Sequence, residues 1–280
     1  MAASNKKGVF SLDFNTRTIV GIGLLTAVVI VLQFIGAFFK FGTFSISLVL
    51  MPIVVGAALY GVLAGAWLGL VFGVVVLLSG DANLFLGINP LGTIITVILK
   101  GVLAGAISGL VYVGLAKLFS KNNATERFAT IAACCLLLIG GLVCLYFGLK
   151  LRNTEDMITV LDKFEIHAGL FCIVCGSVLA ALGLALLIYV LVKKPDLDVT
   201  AAVFASAAVC PIVNTGIFLI GCRLFFYDTV KEWAGGSNVG VFMIVGLVGF
   251  NFIIELAINL ILTPAIVMLI NYGQKSIAKR

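Results

Sequence analysis

The sequence predicts an all-α fold, a polytopic membrane helix bundle, on three observations. Of 280 residues, 62% are apolar and only 11% charged, against about 45–50% and roughly 25% in ordinary globular domains. Mean hydropathy is +1.25. The apolar residues gather into eight spans, most of them near the ~20 residues that a helix needs to cross a bilayer. No stretch is long and polar enough for a cytosolic enzyme domain. The Lys and Arg residues are too few and scattered to grip phosphates, so nucleic acid is not an expected partner.

The spans run at 18–39, 44–60, 62–79, 91–119, 128–149, 168–192, 200–222 and 240–271. The first is too long for the apolar core of a cleavable signal peptide, and no small-x-small site follows it. The second is short and interrupted by Pro52, and Tyr60-Gly61 leaves almost no loop before the third. The fourth and eighth exceed the crossing length and must tilt or protrude. Three parts follow: 1–127 with four spans, a hairpin of two spans in 128–199, and 200–280 with two more.

An even number of spans puts both termini on one side. That side carries Lys6, Lys7, Arg17, Lys117, Lys121, Arg127, Lys193, Lys194, Lys275, Lys279 and Arg280, and the acids Asp13, Glu126, Asp196 and Asp198. The other side carries Lys40, Lys150, Arg152, Lys163, Arg223 and Lys231. The excess of basic residues places both termini in the cytoplasm of a plasma-membrane protein. The outer side then holds Asp81, Glu155, Asp156, Asp162, Glu165, Asp228 and Glu232. The seven cysteines fall in or beside apolar spans, where Cys is ordinarily a small core residue. Cys172 and Cys175 form a C-x-x-C but lack the polar, accessible setting of a redox or metal pair. No metal and no cofactor is expected.

Small residues mark close helix contacts. Gly61, Gly65, Gly69 and Gly73 recur every fourth residue in the third span, Gly101, Gly105 and Gly109 in the fourth, and Gly23 with Ala27 in the first. Such ridges let helices meet in lipid. They serve either packing within this chain or docking of a membrane partner, and the sequence leaves Gly23, Ala27, Gly65 and Gly69 open to the second use.

Two ionisable residues, Lys100 and Glu255, lie deep in the spans. Asn89, Thr93, Thr96 and Lys100 share one face of the fourth span, because their spacing follows the helical repeat. Lys100 sits roughly 14 Å below the outer end at 1.5 Å per residue. Asn251, Glu255 and Asn259 form a second stripe, and Asn214 with Thr215 a third polar point. A mid-membrane charge is costly and faces a cavity or a partner. One reading is a Lys100–Glu255 ion pair that only joins two helices. The other is a substrate pocket open to the outside, lined by Asn89, Thr93, Thr96, Lys100, Asn214, Asn251 and Glu255. Phe225, Phe226, Tyr227 and Trp233, and Phe38, Phe39, Phe41 and Phe44, form an aromatic fringe at its height. They are either interfacial anchors or a lid.

The run Ser45-Ile46-Ser47-Leu48-Val49-Leu50-Met51-Pro52-Ile53-Val54-Val55-Gly56-Ala57, followed by Gly61-x-x-x-Gly65 and Leu70-Val71-Phe72-Gly73, resembles the substrate-binding S component of energy-coupling factor (ECF) vitamin transporters. Asn89-Pro90, Lys100-Gly101, and Pro211-Ile212-Val213-Asn214-Thr215-Gly216 with Gly221 are similar as well. The resemblance covers 18–119 and 200–271, which supply the family's six spans; the 128–192 block is the departure from it. It implies capture of a vitamin or related micronutrient on the outer side, docking on a membrane coupling subunit driven by two cytosolic ATPases, and toppling to release the substrate inside. The family's small-x-x-x-small contact in its first helix is matched here only by Gly23 and Ala27. The chain has no G-x-x-x-x-G-K-[ST] phosphate loop, as a subunit that borrows its energy requires.

The expected function is therefore substrate capture for an ATP-driven importer, not enzymatic catalysis. No H-E-x-x-H or G-x-S-x-G is present, and the only histidine, His167, lies at an outer loop end. Lys100 favours a carboxylate or phosphate ligand such as pantothenate, and riboflavin stays open within the family. The alternative is a secondary transporter that couples Glu255 to a proton or Na⁺, although no duplicated halves are visible.

Overall fold

A computed structural model describes residues 15–38, 40–41, 44–45, 47–119, 131, 135, 138–146, 148–150, 157–161, 164–193, 197–236 and 238–278. The chain is an all-α bundle with two small β-ribbons. Helix α1 (Thr16–Phe38) leads through a ribbon of β1 (Lys40–Phe41) and β2 (Phe44–Ser45) into α2 (Leu50–Tyr60) and α3 (Val62–Leu78). A short α4 (Asn83–Ile88) precedes α5 (Pro90–Phe119). Helix α6 (Leu138–Lys150), over its described residues, is followed by the antiparallel ribbon β3 (Met157–Leu161) and β4 (Phe164–His167) and by α7 (Ala168–Lys193). Then come α8 (Leu197–Phe225), α9 (Tyr227–Trp233), α10 (Val239–Val241), a π-helical turn (Phe242–Leu247), α11 (Gly249–Ile261) and α12 (Thr263–Ala278). Helices α1, α5 and α8 are each long and apolar enough to cross a membrane, and α11 with α12 make a bent fourth. With the shorter apolar helices α2 and α3, this is the architecture of a multi-pass membrane protein.

Helix α2 is central. Leu50, Ile53, Val54 and Ala57 are fully buried, packed with Val29, Leu68, Phe72, Ala104, Ala202, Ile266 and Ile270. Its 11 residues span only about 16 Å, so it is sheathed by its neighbours. Pro52 does not interrupt it as the sequence led us to expect: Pro52 lies in the first turn, where a missing N–H costs no helical bond. The 44–49 stretch, expected to be helical, includes β2 instead. Gly61 joins α2 to α3 at φ +94°, a conformation that side chains resist.

The glycine ridges lock α3 onto α5. A Cβ on Gly69 would fall on the Gly101 carbonyl oxygen, one on Gly65 within 2.5 Å of the Gly105 oxygen, and one on Gly73 2.9 Å from the Val97 oxygen. This corrects the docking expectation for Gly65 and Gly69, whose open sides are filled by α5. Helix α8 lies on α5 just as closely. Ser206 Oγ donates to the Ser108 carbonyl at 2.9 Å, and Gly221 leaves room for the Thr96 side chain.

The eighth span is also corrected. It is not one helix: the chain passes from the π-helical turn into α11, then bends by 48° into α12. Pro264 explains the bend, because it lacks an N–H and its ring clashes with the carbonyl four residues earlier. The acidic outer loop expected after the fifth span contains the β3–β4 ribbon, with Met157 opposite His167. Much of 120–137 and 151–156 lies outside the described residues, as do Lys6, Lys7, Lys121, Arg127, Lys194, Lys279 and Arg280 of the charge reading.

Candidate functional site

One cavity of about 770 Å³, its open mouth included, is walled by α1, the α1–α2 strap, α3, α5, α8 and α11. Thr93, Thr96, Lys100, Asn214, Asn251 and Glu255 all line it, so six of the seven residues expected in a pocket meet there. Asn89 does not. Its Oδ1 accepts from the Gly92 N–H at 3.0 Å and its carbonyl from the Thr93 hydroxyl at 2.8 Å. Followed by Pro90 in the first helical position, Asn89 is the N-cap of α5.

The strap between α1 and α2 supplies what the sequence reading missed. Asp81 Oδ2, just beyond α3, accepts from Gln33 Nε2 of α1 at 2.7 Å and from Ser45 Oγ at 2.6 Å. Two residues on, the Ser47 N–H donates to Glu255 Oε1 at 3.0 Å. The strap is thus held from two sides by carboxylates on α11 and at the end of α3. A signal for these residues exists in the sequence. Gln33 is an amide within an apolar span, and Ser45-Ile46-Ser47 alternates as a strand does, turning both serines to one face.

Lys100 Nζ lies 5.6 Å from the Phe72 ring centre and 5.5 Å from that of Phe218. Among the described residues it is not in an ion pair with Glu255 within 4.0 Å. The ammonium is instead held over ring faces, where the quadrupole attracts it. Thr96 Oγ1, Asn214 Oδ1 and Asn251 Oδ1 are buried on the cavity wall without a hydrogen-bond partner. Buried polar atoms are nearly always paired, so three such atoms on one cavity leave hydrogen-bonding capacity facing its interior.

Aromatic rings close one side. Phe85 of α4, not singled out from the sequence, packs edge-on against Phe226 at 5.0 Å, Phe218 at 5.5 Å and Trp233 at 5.9 Å. Phe85, Phe218 and Phe226 line the cavity. Of the rest of the expected fringe, Phe225 reaches the cluster edge-on, its ring centre 6.4 Å from that of Phe226. Phe225 packs over Gly92, Tyr227 lies 3.9 Å beneath the Arg223 guanidinium, and Phe38 is exposed. Phe39, and the side chains of Phe41 and Phe44, lie outside the described residues. Among the described residues no cluster of three or more His, Cys, Asp or Glu could hold a metal.

Gly23 and Ala27 sit on an exposed face of α1, and a Cβ on Gly23 would meet nothing within 4 Å.

Residues 19–147 match the family model described as thiamine transporter protein. The similarity is to a vitamin-uptake transporter rather than to an enzyme, and it agrees with the resemblance to an ECF S component. The matched stretch carries the strap, Asp81, Lys100 and Thr96; the walls from α8 and α11 lie beyond it. Comparison with curated proteins and with solved structures gives no match.

Proposed function

We propose that this chain is the substrate-capturing subunit of an ATP-driven ECF-type importer, and that its ligand is a cationic heteroaromatic vitamin of the thiamine class. The observation that carries this reading is the charge and surface of the cavity. Two carboxylates, Asp81 and Glu255, face one ammonium, Lys100, among Phe72, Phe85, Phe218 and Phe226. A flat cation gains from both acids and ring faces, whereas an anion such as pantothenate has only Lys100 to meet. Similarity of the N-terminal half to thiamine transporters points the same way. Riboflavin, neutral and aromatic, would use the rings and could donate hydrogen bonds to the acids, but brings no positive charge to offset theirs.

The cavity opens outward in this reading, with both termini cytoplasmic, as the bias of Lys and Arg favours. Energy comes from a membrane coupling subunit and two cytosolic ATPases. The exposed Gly23–Ala27 face of α1 is the docking surface for the coupling subunit, since small residues there permit close helix approach.

The test is titration of the detergent-solubilised chain with thiamine, riboflavin and pantothenate, with mass spectrometry of any co-purified small molecule. Thiamine should bind most tightly. Preferential pantothenate binding would refute the charge argument. Concentration of thiamine by the chain alone in liposomes under a proton or Na⁺ gradient would establish the secondary-transporter reading instead.

A further inference from the structure

Helix α11 is a wall one helix thick. On one face Asn251 and Glu255 reach the cavity, and Asn259 Nδ2 caps the Glu255 carbonyl at 2.9 Å. On the other face, Leu256 and Leu260 are buried in a cluster with Phe204 of α8, against which Leu179 and Leu187 of α7 and Ala208 of α8 pack; Phe252 lies between the two faces, touching this cluster and also lining the cavity. The 13 residues of α11 are cut off at both ends, by the π-helical turn before Val248 and by the 48° bend after Ile261. A helix so isolated cannot inherit its position from a longer rod. Lateral packing must set it, and a π-turn is a place where a helix readily re-registers. Helices α8, α2 and α12 supply part of that packing, and the 128–199 block supplies the rest. Helix α7 contacts α11, and β3 contacts the π-helical turn. Within the block, Gly141, Gly148, Gly176 and Gly183 let α6 and α7 touch backbone to backbone, a Cβ on Gly176 falling within 2.5 Å of the Leu145 nitrogen.

We propose that α7 and the β3–β4 ribbon of the 128–199 block are a brace for the binding site, and that Leu179 and Leu187 are positioning residues which hold α11 so that Asn251 and Glu255 face the ligand. The choice of ligand rests on the reading above; the brace itself does not. The experiment uses the full chain in nanodiscs with Leu179→Ala and Leu187→Ala combined, in the unsubstituted and the Glu255→Gln backgrounds. Thiamine titration is run beside hydrogen exchange of 249–261. Affinity should fall about tenfold in the first background and much less in the second, because residues acting through Glu255 are non-additive with it. Exchange should quicken across 249–261 while 62–78 is unchanged. Leu179→Met with Leu187→Met should restore both, and the exposed pair Val174→Ala with Leu184→Ala should alter neither. If the double alanine chain does not fold, Leu187→Val should give the same pattern at smaller amplitude. Equal affinity losses in both backgrounds, or unchanged exchange in 249–261, would overturn the brace. If the unsubstituted chain does not bind thiamine, the ligand assignment fails, and the exchange result still decides the brace.

Discussion

Removing the Asp81 carboxylate tests whether the strap is held by charge. Asp81 Oδ2 receives two short bonds, 2.7 Å from Gln33 Nε2 and 2.6 Å from Ser45 Oγ. Hydrogen bonds to a charged group contribute about 1.5–3 kcal/mol each. Gln33 is 2% exposed, so losing its acceptor adds the cost of a buried unpaired amide. Asp81→Ala should therefore destabilise the protein by at least about 3–6 kcal/mol. At roughly 2–4 °C per kcal/mol this lowers the thermal midpoint by on the order of 10 °C. Thiamine affinity should fall as well, since the strap then loses one of its two carboxylate anchors. The decisive comparison is the double variant Asp81→Ala with Gln33→Leu. Replacing both partners by apolar groups removes the unpaired amide and is nearly neutral in such cases, so the double variant should recover much of the lost stability. Thermal unfolding in detergent with parallel ligand titration measures both. A loss below about 1 kcal/mol for Asp81→Ala, or a double variant less stable than the single one, would refute the reasoning.

Other outcomes follow from the same geometry. Glu255→Gln keeps an oxygen for the Ser47 N–H but loses the charge, so the strap should stay while thiamine binding weakens roughly tenfold, read by calorimetric titration. Lys100→Met keeps the stem between Phe72 and Phe218 and should leave thiamine binding intact or tighter; a tenfold loss would make Lys100 a direct ligand contact. Gly69→Ala places a methyl on the Gly101 carbonyl oxygen, and backbone cannot step aside as a side chain does. Overpacking costs typically 1–3 kcal/mol, so Gly69→Ala should lower the thermal midpoint more than Gly23→Ala, where space is open. Gly23→Leu with Ala27→Leu should abolish uptake in cells carrying the partner subunits while leaving titrated affinity unchanged; equal uptake would remove α1 as the docking face.

Local rules made much of the molecule legible in its sequence. Span existence follows from hydropathy, because a bilayer accepts backbone only as helices or closed barrels. The Thr93, Thr96, Lys100 face and the Asn251, Glu255 stripe followed from helical periodicity, and a buried charge had to meet a cavity. What the chain could not reveal was pairing between distant segments. For Gly65 and Gly69 packing within the chain is the favoured reading of the sequence and a partner stays open, since a ridge of small residues carries no address; in the fold they face Gly105 and Gly101. Asn89 fits the polar face by spacing, yet the helix begins at that point and claims its side chain as a cap. Asp81 sits 48 residues from Gln33 and 36 from Ser45, and Glu255 sits 208 from Ser47. Those distances decide the charge of the cavity. Hydrogen bonding between carboxylates and a strap across such separations depends on helix order and crossing, which periodicity along one helix does not encode and tertiary packing alone fixes.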